Sequence, residues 1–286
     1  MTILRTGPLA VFKDAGRPGH AHLGVPPSGA VDRGAYRRAN ALVGNPPGTA
    51  VLECTLGGLR VTFDGPVTAV LTGTDAVLAV DGRRTGVEQV VAVPAGATVE
   101  VTQPRTGLRS CLAVRGGFAV APVLGSRSTD RLAGIGPAIP ATGDTVPLGY
   151  RVERPAESMV LLSEGSELTL DVDLGPRDDW FTAAAVGAFL GAEFTVTAAS
   201  DSVGLRLDGP ALARSRTDEL PSEGVVRGAV QVPPDGKPIV FQADHPVTGG
   251  YPVIAVLTPR SADLAAQARP GARVRFRRAR LVDWEM

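Results

Sequence analysis

The segment "EQVVAVPAGATVEVTQP", residues 88–104, alternates apolar and polar positions on both sides of a Pro-Ala-Gly turn. Alternation with a period of two marks a strand with one face buried, so the segment reads as a hairpin and not as a helix. The same style runs through its neighbours. "LRVTFDG" (59–65), "VTAVLTG" (67–73), "DAVLAVDG" (75–82) and "LRSCLAVRGG" (108–117) are short strand-like runs punctuated by Asp-Gly and Gly-Thr. Together they predict an antiparallel meander. Further along, "EFTVTAAS", "GLRLDGP", "PIVFQAD", "PVIAVLTP" and "ARVRFRRARLVDWE" repeat the pattern. The expected fold is therefore all-β with a few short helices.

Helical pattern falls at matching places in the two halves. "VDRGAYRRANALVGN" offers Asp32 as N-cap and Gly44 as its end, and "RDDWFTAAAVGAFLGAEF" offers Asp178 or Asp179 as cap with an end near Gly191. A second echo pairs "GLRVTFDGP" (58–66) with "GLRLDGP" (204–210). These echoes predict two barrel-like halves, residues 1–150 and 151–286, with the stretch "RSTDRLAGIGPAIPATGDTVPLGYRVERPAES" (127–158) carrying the chain across.

Composition narrows the function. The 29 basic and 29 acidic groups cancel, which removes the electrostatic case for a nucleic acid or an anionic membrane as partner. No apolar run reaches the ~18 residues of a membrane span, and "MTILRTGPLAVFKDAG" lacks the apolar centre of a signal peptide. A cytoplasmic location is expected. Cys54 and Cys111 each sit in an apolar strand-like run and are expected as buried free thiols. No metal is expected, since His20 and His22 lie two apart and His245 stands alone. Lys237 in "PPDGKPIV" lacks the glycine and hydroxyl of a phosphate loop, and there is no G-x-S-x-G elbow.

Four loop-rich stretches carry the candidate chemistry. In "DAGRPGHAHLGVPPSGAVD" (14–32), Arg17, Ser28 and Asp32 supply polar groups among glycines that allow close approach to a ligand; the plainer reading is a loop whose Ser28 and Asp32 cap the next helix. In "GSRSTDRLAGIG" (125–136), Arg127 can clamp a carboxylate, steered by Ser128, Thr129 and Asp130, or can pair internally with Asp130. "ASDSVGLRLDGP" (199–210), with Asp201 and Arg206, fits a turn and strand as well as a pocket wall. The fourth, "ELPSEGVVRGAVQVPPDGKPIVFQADHPVTGGYP" (219–252), is a hairpin about "PPDG". It is expected to bring Gln231 and Asp244 to one end, closed over by Ser222, Glu223 and the segment Thr248–Pro252 that includes Gly249, Gly250 and Tyr251. A carboxylate, the His245 imidazole, an amide and a Gly-Gly backbone are what proton transfer beside a polarised carbonyl requires.

These stretches, with "ANALVGNPPGTAVLECTLGG", "DLGPRDDWF" and "DLAAQARPGARVRF", resemble the family of the 5-oxoprolinase C subunit, also called KipA, allophanate hydrolase subunit 2 or the biotin-dependent carboxyltransferase-like family. The resemblance implies two cyclophilin-like β-barrel halves. It implies a hetero-oligomer with A and B subunits, the latter KipI-like, that opens 5-oxo-L-proline to L-glutamate at the expense of ATP used by the complex. No cofactor is implied on this chain, and any biotin belongs to another. By side-chain chemistry, Arg127 is expected to hold the substrate carboxylate, Asp244 or His245 to move protons, and Gln231 with Gly249–Gly250 to steady the developing oxyanion. Two further activities found in the same family are carboxyl transfer to a urea-like amide and regulation of a KipI-type kinase inhibitor. The chain departs from the family pattern at Ser202, Val203 and Leu205, where Arg, Met and Tyr are usual, and at His245, Pro246 and Val247, where Arg, Gln and Thr are common.

Overall fold

The computed structural model describes residues 1–150, 168–216 and 218–280. The chain divides into two compact units, one of Met1–Arg17, Ser28–Asp130 and Gly134–Leu162, the other of Pro18–Pro27, Arg131–Ala133 and Ser163–Met286. The expected boundary at 150/151 falls at the edge of 151–167, outside the described residues.

In the first unit ten strands form two five-stranded sheets: β1 (Thr2–Arg5), β2 (Leu9–Lys13), β3 (Val51–Thr55), β4 (Arg60–Thr62), β5 (Val67–Thr72), β6 (Leu78–Val80), β7 (Arg83–Arg84), β8 (Val91–Val93), β9 (Thr98–Val101) and β10 (Arg109–Val114). The sheet orders are β1-β4-β9-β6-β7 and β2-β3-β10-β5-β8. Residues 88–104 supply β8 and β9, although these strands enter different sheets and do not pair with each other. Ile3, Val61, Leu78 and Val99 of one sheet meet Phe12, Leu52, Leu71 and Leu112 of the other in a single core. The helix α1 (Arg33–Leu42) lays Ala35, Ala39 and Leu42 on Val51, Val70, Cys111 and Ala113. Strand β10 is thus covered on both faces and all of its residues are buried, which is why "RSCLAV" reads as a nearly unbroken apolar run. Asp32 caps α1 as expected, its side chain accepting from the Ala35 amide. Cys54 and Cys111 are free and buried, and burial raises both thiols, with the Glu53 carboxylate adding to it. Neither is a nucleophile at neutral pH.

The second unit closes a barrel from β11 (Leu168–Leu174), β12 (Glu193–Val196), β13 (Gly204–Asp208), β15 (Ala229–Gln231), β16 (Ile239–Phe241), β18 (Val253–Leu257) and β19 (Arg273–Arg278) in the order β11-β18-β15-β16-β13-β12-β19. A two-stranded ribbon, β14 (Glu223–Gly224) with β17 (Thr248–Gly249), stands beside it. Parallel pairing of β11 with β19 completes the ring. In β19, "RVRFRR", Val274 and Phe276 turn inward and the arginines outward, Arg275 onto Glu193 and Arg277 onto Asp171. Inside, Phe276 stacks on Phe189 of the helix α2 (Ala183–Gly191) at 4.3 Å between ring centroids and meets Phe194 edge-on.

One local expectation is corrected. Asp178 and Asp179 do not cap α2; they belong to a separate 3-10 turn, Asp178–Trp180, after which Phe181 is extended and Thr182 takes the cap, accepting from the Ala185 amide. A third helix, α3 (Pro259–Ala265), is also present, capped by Thr258 with proline at its first turn. Its signal, Thr-Pro ahead of "RSADLA", is the usual start of a helix. Thr182→Ala should lower unfolding stability by about 1 kcal/mol in a urea titration. Asp178→Ala, whose carboxylate caps nothing, should change it by no more than ~0.5 kcal/mol.

Candidate functional site

In the first unit the site grows from the end of β2, where charged residues follow an apolar strand and yet stay buried. Asp14 is 4% exposed. Its Oδ1 accepts from the Gly16 amide (2.8 Å), the Ser126 hydroxyl (2.6 Å) and the Ser128 hydroxyl (2.7 Å), and its Oδ2 accepts from the Arg127 amide (2.5 Å). The Asp14 amide donates back to Ser128 Oγ at 2.9 Å. Four donors satisfy the carboxylate, so Asp14 organises the loop. Next to it, Lys13 Nζ donates to the Thr129 carbonyl at 2.8 Å and to Ser28 Oγ at 3.4 Å. Ser28 holds a left-handed conformation, φ 51°, which a serine adopts only when its surroundings impose it.

Arg17 is 1% exposed. It donates through Nη2 to the Ser128 carbonyl and through Nε to Val123, while Nη1 is buried without a hydrogen-bond partner among the described residues. Gly136, at φ 111°, makes room for this: a Cβ there would collide with the Ser128 oxygen and lie 3.1 Å from Arg17 Nη2. Arg127 is engaged differently from the expectation. Its amide serves Asp14, and its half-buried guanidinium donates through Nε to the Val120 carbonyl at 2.8 Å. Asp130 is buried and its amide donates to Ile135. The expected Ser28, Arg127 and Ser128 therefore share one hydrogen-bonded network, organised by Lys13 and Asp14, which sequence reasoning left out. Their signal was legible: adjacent Lys-Asp at the end of an apolar strand, where buried charges persist only if satisfied.

In the second unit the hairpin forms, with Val230 opposite Val240 and Gln231 opposite Ile239. That register corrects the expected grouping. Gln231 lies at the turn end, whereas Asp244 lies three residues beyond Phe241, past the other end. Gln231 instead donates from Nε2 to the Tyr251 carbonyl at 2.8 Å and lies against Gly249, where a Cβ would press on Nε2. Ser222 Oγ is close to Gly250, and Arg214 lies over the Tyr251 ring, 5.9 Å from its centroid. Glu223 pairs with Arg177 and raises that guanidinium's affinity for its proton. Gln231, Ser222, Gly249, Gly250 and Tyr251 thus form one cluster. Asp244 and His245, both buried, form another with Ser202, whose carbonyl accepts from the Asp244 amide at 2.9 Å. His245 Nδ1 lies 2.6 Å from the Pro246 carbonyl, so Nδ1 carries a proton and donates it there. The two family arginine positions that this chain fills otherwise, 202 and 245, are neighbours.

The closed barrel with its accompanying sheets is a carboxyltransferase-type architecture. The crystal structure of TTHA0988 superposes with a TM-score of 0.88 at 34% identity, over 96% of this chain and 54% of that one. The Kluyveromyces lactis urea amidolyase superposes with a TM-score of 0.88 at 26% identity, over 96% of this chain and 18% of that one. The family model of the carboxyltransferase domain, subdomain A and B, matches residues 23–278, and the chain belongs to that family. The chain is 35% identical to the C subunit of 5-oxoprolinase from Escherichia coli K12 over 281 residues, 96% of this chain and 90% of that protein. It is 29% identical to the Saccharomyces cerevisiae urea amidolyase, over 91% of this chain and 16% of that protein. The chain therefore spans nearly all of the first relative, and only a part of the amidolyases and of the TTHA0988 chain. The resemblance read from the motifs is borne out.

Removing the Asp14 charge should loosen the 126–128 loop: Asp14→Asn is expected to cost about 2–4 kcal/mol in chemical denaturation, because hydroxyl and amide donors lose a charged acceptor. Gly249→Ala meets only the flexible end of Gln231, so it should fold with a loss below ~1 kcal/mol. It should nevertheless break the Gln231–Tyr251 hydrogen bond, seen as a displaced 249–251 segment in a crystal structure of the variant.

Proposed function

We propose that this chain is the C subunit of an ATP-dependent 5-oxoprolinase, acting in the cytoplasm with the A and B subunits to open 5-oxo-L-proline to L-glutamate. The observation that carries the reading is its end-to-end correspondence with the Escherichia coli protein of that name, at 35% identity over 96% of this chain and 90% of that protein. The reaction adds one water across the lactam, and ATP consumed by the complex activates the ring for that attack. No cofactor resides on this chain in this reading.

The residues divide the work by their chemistry. In the first unit, Arg127 supplies positive charge for a carboxylate, from a loop fixed by Asp14 and Ser128. Ser28 and Asp130 complete the wall of that loop. His245, whose Nδ1 is held by the Pro246 carbonyl, and Asp244 before it are the groups that move a proton. Gln231 is a positioning residue in the other cluster: by holding the Tyr251 carbonyl it fixes the segment that carries the Gly249 and Gly250 amides beside Ser222.

A second reading, carboxyl transfer to a neutral urea-like amide, is favoured by one observation: Ser202 and His245 stand together where the family pattern carries arginines. A site lacking two cations suits a substrate without a carboxylate.

The test is glutamate formation from 5-oxo-L-proline and ATP by the purified chain, with and without its cognate A and B subunits. Turnover is expected only with all three, and His245→Ala is expected to lower kcat by about 100-fold in an intact complex. Glutamate formed at the same rate without this chain would overturn the reading. A tight complex with the B subunit but no turnover would point to a regulator, and turnover of urea but not of 5-oxo-L-proline to the second reading.

A further inference from the structure

Arg214 stands in the second unit beside the Gln231 cluster, and its backbone is fixed there from both sides. The Ser215 amide donates to the Trp180 carbonyl at 2.8 Å, the Thr182 amide donates to the Ala213 carbonyl at 3.2 Å, and Phe181 bridges to Arg214 between them. The side chain is fixed as well. Its Nη2 donates to the Val232 carbonyl at 2.6 Å, and its guanidinium lies over the Tyr251 ring at 5.9 Å from the centroid, within the range of a cation–π contact. Gln231, next in the chain to Val232, holds the Tyr251 carbonyl, so two successive residues grip the arginine and the tyrosine together.

What this guanidinium lacks is a counter-charge. Glu223, paired through the ribbon with Gly249, is taken by Arg177, and Asp179, next to Trp180, is taken by Arg216. Among the described residues Arg214 pairs with no carboxylate, and its Nε is buried without a hydrogen-bond partner. A half-buried cation whose one acceptor is a neutral carbonyl is partly desolvated without compensation, a cost that an anion from outside would offset. The neighbouring groups are open to such a molecule. Tyr251 is 44% exposed, and Ser222 and Gly250 are exposed beside it. Ser222 Oγ lies 3.9 Å from where a Cβ on Gly250 would stand, and the Gly250 amide donates to no carbonyl among the described residues. The cluster therefore offers one cation and two neutral donors, which match a ligand with one carboxylate and one uncharged carbonyl.

We propose that Arg214 is a substrate-binding residue: its guanidinium receives the carboxylate of a small ligand whose neutral carbonyl turns to the Ser222 hydroxyl and the Gly250 amide. The proposal rests on the ring-opening reading for the identity of that ligand, 5-oxo-L-proline, whose ring carries one carboxylate and one lactam carbonyl. The test follows the Gly250 and Tyr251 amide signals of the isotope-labelled full chain by NMR while 5-oxo-L-proline or 2-pyrrolidinone, the same lactam without its carboxylate, is added.

Saturable shifts of both signals are expected with 5-oxo-L-proline, and 2-pyrrolidinone should bind at least about tenfold more weakly. Arg214→Gln should weaken 5-oxo-L-proline about tenfold and leave 2-pyrrolidinone unchanged, a split that general damage to the fold would not produce. Arg214→Lys, which keeps the charge, should retain part of the difference, and Arg216→Gln should leave both ligands unchanged. The proposal is overturned if the two lactams bind alike, if Arg214→Gln leaves the difference between them intact, or if neither ligand shifts these signals at millimolar concentration. The site and the reaction fail separately. Binding through Arg214 with no glutamate formed by the complete complex would sink the ring-opening and leave the site, whereas glutamate formed at an unaltered KM by an Arg214→Gln complex would sink the site and leave the reaction.

Discussion

The loops of the first unit depend on one buried carboxylate. Asp14 takes four hydrogen bonds from groups more than a hundred residues away as well as from its own turn, and so ties the end of β2 to residues 126–128. A loop rich in glycine and serine has no conformation of its own, because such residues lose the most freedom on ordering. Asp14 offsets that loss with charge-assisted bonds, each stronger than a neutral one. Everything the loop carries is then fixed in turn: Ser28 through Lys13, the Ser128 carbonyl through Arg17, and the Arg127 backbone directly. The buried cations follow from the same constraint, since Lys13 donates to the Thr129 carbonyl and Arg17 to that of Ser128.

The sequence was most legible where burial is one-sided and periodic. Strands such as "RVRFRR" declare themselves because every second residue meets water. The α1 cap at Asp32 was legible for a local reason, a side chain and an amide three residues apart. The α2 cap was misread because two aspartates precede the true start, and only the extended Phe181 separates their turn from the helix. Pairing was less legible than strand content. The runs around Pro94 and Gly96 are both strands, yet β8 joins β5 and β9 joins β4 and β6, a choice made by long-range packing that no local pattern encodes.

The candidate site was half legible for the same reason. Residue types with evident chemistry, Arg127, Asp244, His245 and Gln231, stand out in a string of letters, but their company depends on register. With Gln231 opposite Ile239, the hairpin sends Asp244 past its far end, so sequence neighbours part while Gln231 meets Gly249 and Tyr251. Conversely Lys13 and Asp14 carry no role in the sequence reading, and only burial shows that each holds a polar group needing an explanation.

The closing pair of the barrel sets an order of events during synthesis. Strand β11 pairs in parallel with β19, Leu168 beside Val274, and β12 pairs with the same strand from its other edge. Until the ribosome has released Arg278, both β11 and β12 present an open edge, and Phe189 and Phe194 lack the Phe276 ring against which they pack. The strands of the first unit pair only with one another, so its sheets can assemble while the second unit is still emerging. A nascent chain stalled before β19 would expose two unpaired strand edges and an uncovered aromatic cluster, the features that chaperones recognise and that aggregation exploits.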